Sequence, residues 1–473
     1  MEPLSLTEVA AACAGELGGA SGEVRVQRVT SDSRAVQAGD LFVALPGDRF
    51  DGHAYVAEAW RRGAVAALVD RSHPRAGDGR GPVVRVDNTR VALGRLAAFH
   101  RRRFQLPVVA VGGSNGKTTS KDLLAAVLGT RWATLASEAS FNNDLGVPLT
   151  LLRLEARHEV AVLEAGTNHP GELAPLLGLI RPRYGVLTSL GREHLEFFGD
   201  AAGVRTEEGW MGEALPPEGR LFVNADSPGV EEVIRRTRAG VVRVGWQAGV
   251  EWRAAGGSTT ADGTRFELVA APAGWPGDYE IQLLGRHQVT NALLALAVAA
   301  ELGLSPTEAR AGLVGGAPPK MRLQRREVAG VTFLDDAYNA NADSVLAALA
   351  TLGEIPWTGR RAAVLGDMAE LGAHTAPAHA EIGRAAALAG LAALFTVGAA
   401  AAETARSARA HGLVNVFENR DAAAAATALQ DWLRPGDLVL LKASRTARLE
   451  RVLADLATLG GPAAKRSLAC CPC

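Results

Sequence analysis

The chain is 473 residues long, beyond the size at which one hydrophobic core keeps growing, so roughly two to four domains are expected. Lys and Arg number 50 against 51 for Asp and Glu, a formal charge of -1 that excludes the broad basic field needed to attract nucleic acid or an anionic membrane. With 48% hydrophobic residues and no apolar run of about 18, the composition excludes membrane insertion and describes a soluble globular chain rich in helices.

Residues 1–10 lack the basic stretch and apolar run of a secretory leader, so a cytoplasmic location is expected. From Glu23 to about Leu106, short apolar runs such as 40–45 and 64–69 alternate with turns, and residues 1–106 are read as a small α/β domain. Cys13 lies in helical-looking sequence. The cluster His100-Arg101-Arg102-Arg103 ends a helical pattern before Leu106-Pro107 and is read as a solvated helix end at a domain boundary.

Buried-looking strands then recur with helices between them, at 108–111, 160–163, 185–189, 221–224 and 241–245. Such alternation predicts a mostly parallel sheet covered on both faces, a central domain over residues 107–317. A third set, at 331–334, 362–365, 393–397 and 438–441, leads into Ala-rich helical sequence and predicts a Rossmann-like unit over 318–460. The expected fold class is therefore α/β in three domains. Residues 461–473 carry Cys470, Cys471 and Cys473 in neither a disulfide framework nor a paired zinc pattern, and are expected to be a disordered tail.

Directly after the strand at 108–111 comes Gly112-Gly113-Ser114-Asn115-Gly116-Lys117-Thr118-Thr119, followed by an amphipathic helix. Glycines let the backbone curl so that N–H groups converge on phosphate oxygens, and the helix N-terminus adds its positive end. Lys117 supplies a mobile cation, expected to matter little to the core, and Thr118 offers a hydroxyl to Mg2+. The strict GxxxxGK[ST] spacing would need Gly at 111, where Val111 stands, so this is a shortened nucleotide loop. The loop predicts ATP binding and leaves the reaction open.

Further motifs follow. Ser31-Asp32-Ser33-Arg34 precedes Gly39 to His53; Phe141-Asn142-Asn143-Asp144-Leu145-Gly146-Val147-Pro148 on its own reads as a good turn. Glu164 ends a strand at the edge where ligands gather in open α/β sheets, and His194 in Gly191-Arg192-Glu193-His194 also lies just past a strand. Later come Gly285-Arg286-His287-Gln288-Val289-Thr290-Asn291, then Met321-Arg322-Leu323-Gln324, Asp335-Asp336-Ala337-Tyr338-Asn339-Ala340-Asn341, Leu365 to Gly372 and Lys442-Ala443-Ser444-Arg445.

Taken in order, these segments resemble the Mur ligase family over nearly the whole chain. The DDAYNAN form resembles the branch that adds D-alanyl-D-alanine to a UDP-N-acetylmuramoyl-tripeptide. The resemblance implies an ATP- and Mg2+-dependent amide ligase working through an acyl phosphate, monomeric, with those small molecules as its partners. It implies that the first domain holds the UDP-sugar through Ser33 and Arg34, and that Asn142 and Asn143 hold substrate. It places the nucleotide on Gly113 to Thr119, Asn291, Arg322, Asp336, Asn339 and Arg445. Metal is implied at Thr118, Glu164, His194 and Glu208, and the catalytic set is Lys117, Glu164, His194, Glu208 and Arg322. Glu208 stands where the family usually has a lysine that carries CO2 as a carbamate, with Glu207 the alternative if the register slips by one. Other departures are Gln288 for Asn, Ala342 for Pro and Ala443 for Gly. The competing readings are a related ATP ligase for another substrate, such as the third-residue-adding Mur enzyme or a folylpolyglutamate synthase, a non-ligase nucleotide switch, and a nucleotide-sugar binding protein.

Overall fold

Three larger β-sheets, each mostly parallel, organise the computed structural model, which describes residues 1–18, 22–47, 50–73, 81–316 and 318–458. The tail at 461–473 with its cysteines, and Asp48 and Arg49 of the first motif, lie outside the described residues. The first sheet runs in the order Glu16–Gly18, Val83–Val86, Ala66–Asp70, Asp40–Val43, Arg28–Thr30. Its last four strands are parallel and Glu16–Gly18 is antiparallel.

The helix Thr89–Arg101 joins this sheet to the next, with Leu93, Leu96 and Ala97 fully buried in one core with Leu151, Leu154, Leu177 and Ile180. Truncating such a side chain costs about 2–5 kcal/mol, so the join is held as firmly as a domain interior. The basic run at its end is not solvated as its charge suggests. His100 is fully buried, with Nε2 2.9 Å from the Leu154 carbonyl, and buried Arg101 donates to the carbonyls of Ile180, Phe104 and Arg181. Arg102 and Arg103 alone meet the solvated reading.

The second sheet has nine strands, ordered Gly277–Ile281, Thr264–Ala270, Trp252–Thr259, Gly240–Gly245, Arg220–Asn224, Tyr184–Leu187, Val108–Gly112, Val160–Glu164, Thr134–Ala136. It is parallel from Thr134–Ala136 to Trp252–Thr259, and the last two strands turn back antiparallel. The strand Val108–Gly112 has Val160–Glu164 on one side and Tyr184–Leu187 on the other. Here the chain order reverses, which opens a crevice at the carboxyl ends of the strands. The third sheet runs Gln324–Val328, Val331–Asp336, Leu438–Lys442, Arg361–Gly366, Ala393–Val397, Val416–Asn419, all parallel but the first. Ala443, where Gly is usual, sits against a glycine: a Cβ on Gly366 would lie 2.6 Å from the Ala443 Cβ. Among the described residues no helix is long and apolar enough to cross a membrane.

Candidate active site

The phosphate loop begins where Val108–Gly112 ends and runs into the helix Lys117–Leu128. Two of its glycines are forced. Gly113 (φ 111°) and Gly116 (φ 90°) are left-handed, and a Cβ would meet Thr188 Oγ1 at 2.6 Å in the first and Asn291 Oδ1 at 2.6 Å in the second. The loop is tied to the neighbouring strand: the Ser114 N–H donates to the Ser189 carbonyl (2.8 Å) and the Thr188 hydroxyl to the Asn115 carbonyl (2.6 Å). Asn291 fixes the helix start by accepting from the Ser120 hydroxyl (3.1 Å), and Gln288 in turn accepts from Asn291 (2.8 Å).

Glu164 closes the adjacent strand, paired in register with Val111, so its carboxylate stands beside the loop. The Asn142 amide donates to Glu164 Oε1 (2.7 Å). Asn143 serves its own turn instead, accepting from the N–H groups of Leu145 and Gly146. The Thr118 hydroxyl lies 3.2 Å from that of Ser140.

Lys117 is not the mobile surface cation expected. Its side chain is 14% exposed, and Nζ lies 3.3 Å from Glu193 Oε2 while donating to the Gly113 and Ser114 carbonyls. Burial alone would lower its ammonium, but Glu193, Glu208 and Glu164 outweigh that and hold it above its ordinary value. Glu208 ends the helix Ala201–Glu208, fully buried, with neither oxygen in a hydrogen bond of ordinary geometry. Burial first, and then Glu193, push its carboxyl up to about 8, with Lys117 opposing. Glu207 faces elsewhere: it accepts from the N–H groups of Gly171 (2.9 Å) and Leu173 (2.8 Å), completing the start of the helix Leu173–Ile180. Of the two glutamates, only Glu208 turns to Lys117.

The third sheet's unit forms the opposite wall. A cavity of about 340 Å³ is lined by Lys117, Thr118, Asn142, Glu164 and His194 on one side and by Arg322, Asn339 and Arg445 on the other. Arg322 lies over the Tyr338 ring at 4.3 Å, and Arg445 pairs with Glu450. A second cavity beside it holds Asn291, Asp336 and His287, with buried Lys442 bonded to Asp336 (2.5 Å). Removal from water draws His287 down to about 4, so it is neutral near pH 7. Ser33 and Arg34 lie away from both cavities, on a short 3-10 turn where Arg34 pairs with Asp32. Three residues of the quoted motifs gain a place that their motifs alone did not give them: Glu193 beside Lys117, Glu370 against His194 Nδ1, and Asn341, whose amide donates to Asn115 (3.0 Å).

Glu164 Oε2, Glu193 Oε1 and both Glu208 oxygens are buried without hydrogen-bond partners; each is a hard-cation ligand type, although among the described residues they are not drawn within 4.8 Å of one another as a three-ligand group. Elsewhere, Asp51, His53 and His73 group their ligand atoms within 4.8 Å. There the Asp70 N–H donates to His53 Nε2, which leaves the ring proton on Nδ1, bonded to Asp51 and not free for an ion.

Residues 25–101 match the Mur ligase family catalytic domain, 111–299 the Mur ligase middle domain and 321–445 the Mur ligase glutamate ligase domain. A protein of Escherichia coli K12 named UDP-N-acetylmuramoyl-tripeptide–D-alanyl-D-alanine ligase is 36% identical over 96% of this chain and 99% of its own length. The chain belongs to the Mur ligase family. A Bacillus subtilis Mur ligase of the same name is 33% identical over 91% of this chain and 93% of its own. The crystal structure of MurF from Acinetobacter baumannii superposes with a TM-score of 0.87 at 30% identity, covering 97% of this chain and 99% of that one. The Thermotoga maritima MurF ligase in complex with ADP gives 0.79 at 26%, covering 93% and 99%.

Proposed function

We propose that this Mur ligase joins D-alanyl-D-alanine to a UDP-N-acetylmuramoyl-tripeptide with ATP, through an acyl phosphate. The observation that carries the reading is the shared cavity: the phosphate loop, Glu164 and Asn142 face Arg322, Asn339 and Arg445 across one cleft. That wall-to-wall arrangement suits a reaction in which anions must be brought together. The names of the relatives over nearly the full chain supply the substrates.

A carboxylate does not condense with an amine near neutral pH unless activated. The tripeptide's terminal carboxylate attacks the γ-phosphorus of ATP, breaking the bond to the bridging oxygen and releasing ADP. The neutral amine of the dipeptide then attacks the acyl carbon, and phosphate leaves with one carboxylate oxygen and takes up the proton the amine sheds. Both steps need positioning and charge neutralisation more than covalent help.

Gly113 to Thr119 cradle the phosphates through their N–H groups, and Lys117 turns its ammonium from Glu193 and the loop carbonyls to the transferring group. Arg322 and Arg445 bring positive charge from the third unit, while Asn291, Asp336 and Asn339 border the nucleotide. Asn142 faces the substrate in the cleft while Asn143 holds the turn that presents it, with Ser33 and Arg34 on the UDP-sugar. Mg2+ fits the unpartnered carboxylates, and Thr118, Glu164, His194 and Glu208 would hold it. Bound there, it supplies Lewis-acid stabilisation of phosphoryl charge. Residues 1–106, 107–317 and 318–460 serve as the UDP-sugar, ATP and ligase domains of one monomer, consistent with a cytoplasmic enzyme.

Isotope transfer tests the intermediate. With 18O in the tripeptide's terminal carboxylate, the phosphate released should carry one 18O. Unlabelled phosphate accompanying amide formation would rule the acyl phosphate out.

A further inference from the structure

Residues 191–199, a loop that ends in the short helix Leu195–Phe198, join the phosphate site to the third sheet's unit. At one end, the Gly191 N–H donates to the Ser114 hydroxyl of the phosphate loop (2.8 Å). At the other, the His374 ring meets the Gly199 carbonyl (2.9 Å) and the Glu196 N–H donates to the Glu370 carbonyl (3.0 Å). Between them Arg192 reaches across the seam. Its backbone N–H donates to Asp343 Oδ2 (2.7 Å), Nε and Nη2 to Asp343 Oδ1 (2.9 and 2.6 Å), and Nη1 to Glu381 Oε2 (2.6 Å).

Asp343 lies in the first turn of the helix Ala342–Glu354, whose cap Asn341 bonds the phosphate-loop Asn115. Glu381 lies on the helix Thr375–Leu388. One guanidinium therefore ties two helices of the third unit to a loop that itself touches the phosphate loop. A fork of fixed geometry on two carboxylates gives direction as well as attraction. The approach is close: a Cβ on Gly191 would stand 2.7 Å from Asp343 Oδ2. All three side chains keep about a third of their surface in water. No core depends on them, and both acceptors belong to the far side of the seam. Their attraction thus acts on docking rather than on the folding of either unit.

We propose that Arg192 is a positioning residue: by clasping Asp343 and Glu381 it docks the third unit on the phosphate loop, which brings Arg322, Asn339 and Arg445 to the cleft and Glu370 to His194. The kinetic part of the proposal rests on the ligase reading; the docking geometry rests on the contacts above and is tested by scattering independently of that reading.

The test uses the full chain and Arg192→Ala, Arg192→Lys, Asp343→Ala and Arg192→Ala/Asp343→Ala. With ADP and Mg2+ present, small-angle scattering should give a larger radius of gyration for Arg192→Ala than for the parent, at nearly the same melting temperature. Turnover should fall roughly tenfold to a hundredfold, the range of coupling between sites. Affinity for the UDP-muramoyl tripeptide should not change. Asp343→Ala should match the loss, the double variant should add little to it, and Arg192→Lys should fall between, since an ammonium keeps the charge but lacks the planar fork that fixes both carboxylates at once. Unchanged scattering and turnover in Arg192→Ala would overturn the proposal. So would a parallel collapse of melting temperature and tripeptide affinity in both Arg192→Ala and Arg192→Lys, which marks a structural role. A parent protein that makes no amide would sink the ligase reading and leave the scattering comparison to decide the clasp.

Discussion

Lys117 Nζ lies 3.3 Å from the Glu193 carboxylate, so the cation of the phosphate loop is held by protein anions and carbonyls before any nucleotide arrives. ATP must draw the ammonium from these partners. Lys117→Ala should lower turnover by about two orders of magnitude or more, the size of such electrostatic terms. It should also lower the melting temperature in EDTA, because Glu193 and Glu164 lose their common counter-charge, and excess Mg2+ should restore much of that loss. Near-normal turnover, or a melting temperature indifferent to Mg2+, would contradict this placement.

Glu208 and Glu207 are neighbours with opposite surroundings, and their Gln variants should behave differently. Glu208→Gln keeps the shape and removes charge beside Lys117, so turnover at saturating Mg2+ should fall about a hundredfold while the fold stays intact. Glu207→Gln weakens its acceptance from the Gly171 and Leu173 N–H groups and should cost about 1–2 kcal/mol of stability, with less effect on rate. Activity of the parent should not depend on bicarbonate. Full activity of Glu208→Gln would refute the assignment.

A pH signature follows from the same carboxyl. Glu208 titrates near 8 in the fold against an ordinary 4.5, so between these values the folded state holds a proton that the unfolded state has lost. Stability in Mg2+-free buffer should therefore decline as pH rises from about 4.5 through 8. Urea melts of the parent and of Glu208→Gln between pH 6 and 9 check this: the parent should lose ground to the variant as pH rises. Parallel curves would mean that Glu208 is already ionised across the range.

A second pH effect has the opposite sign and another location. His100 is drawn down to about 4 by burial, against an ordinary 6.5. The unfolded chain therefore takes up the proton first, and stability is lost as pH falls from about 6.5 toward 4. His100→Gln should flatten that acid limb in a denaturant series, and an unchanged limb would place the acid sensitivity elsewhere.

The parallel strands were legible in the sequence because both faces are buried, which writes them as continuous apolar runs such as Val108 to Val111. The strands that escaped notice lack that mark. Thr134–Ala136 has three residues, Gln324–Val328 is a polar edge, and the antiparallel turn-back from Trp252 to Ile281 alternates with glycine and charge. The phosphate loop was legible because its residues are contiguous. Glu193, Glu370 and the Arg192–Asp343 pair were not, since their meaning arises from contacts across 76, 176 and 151 residues of sequence. The run at His100 and Arg101 misled because charge suggests solvent, whereas the Leu154 carbonyl pairs with His100 Nε2, leaving Nδ1 buried without a partner, and the carbonyls of Ile180, Arg181 and Phe104 accept from Arg101.

The most direct test of the ligase reading is phosphate release by the purified chain with ATP and Mg2+, given the UDP-muramoyl tripeptide and D-alanyl-D-alanine singly and together. Sustained release should require both, one phosphate per amide formed. Sustained release with ATP alone, or none with both substrates present, would contradict it.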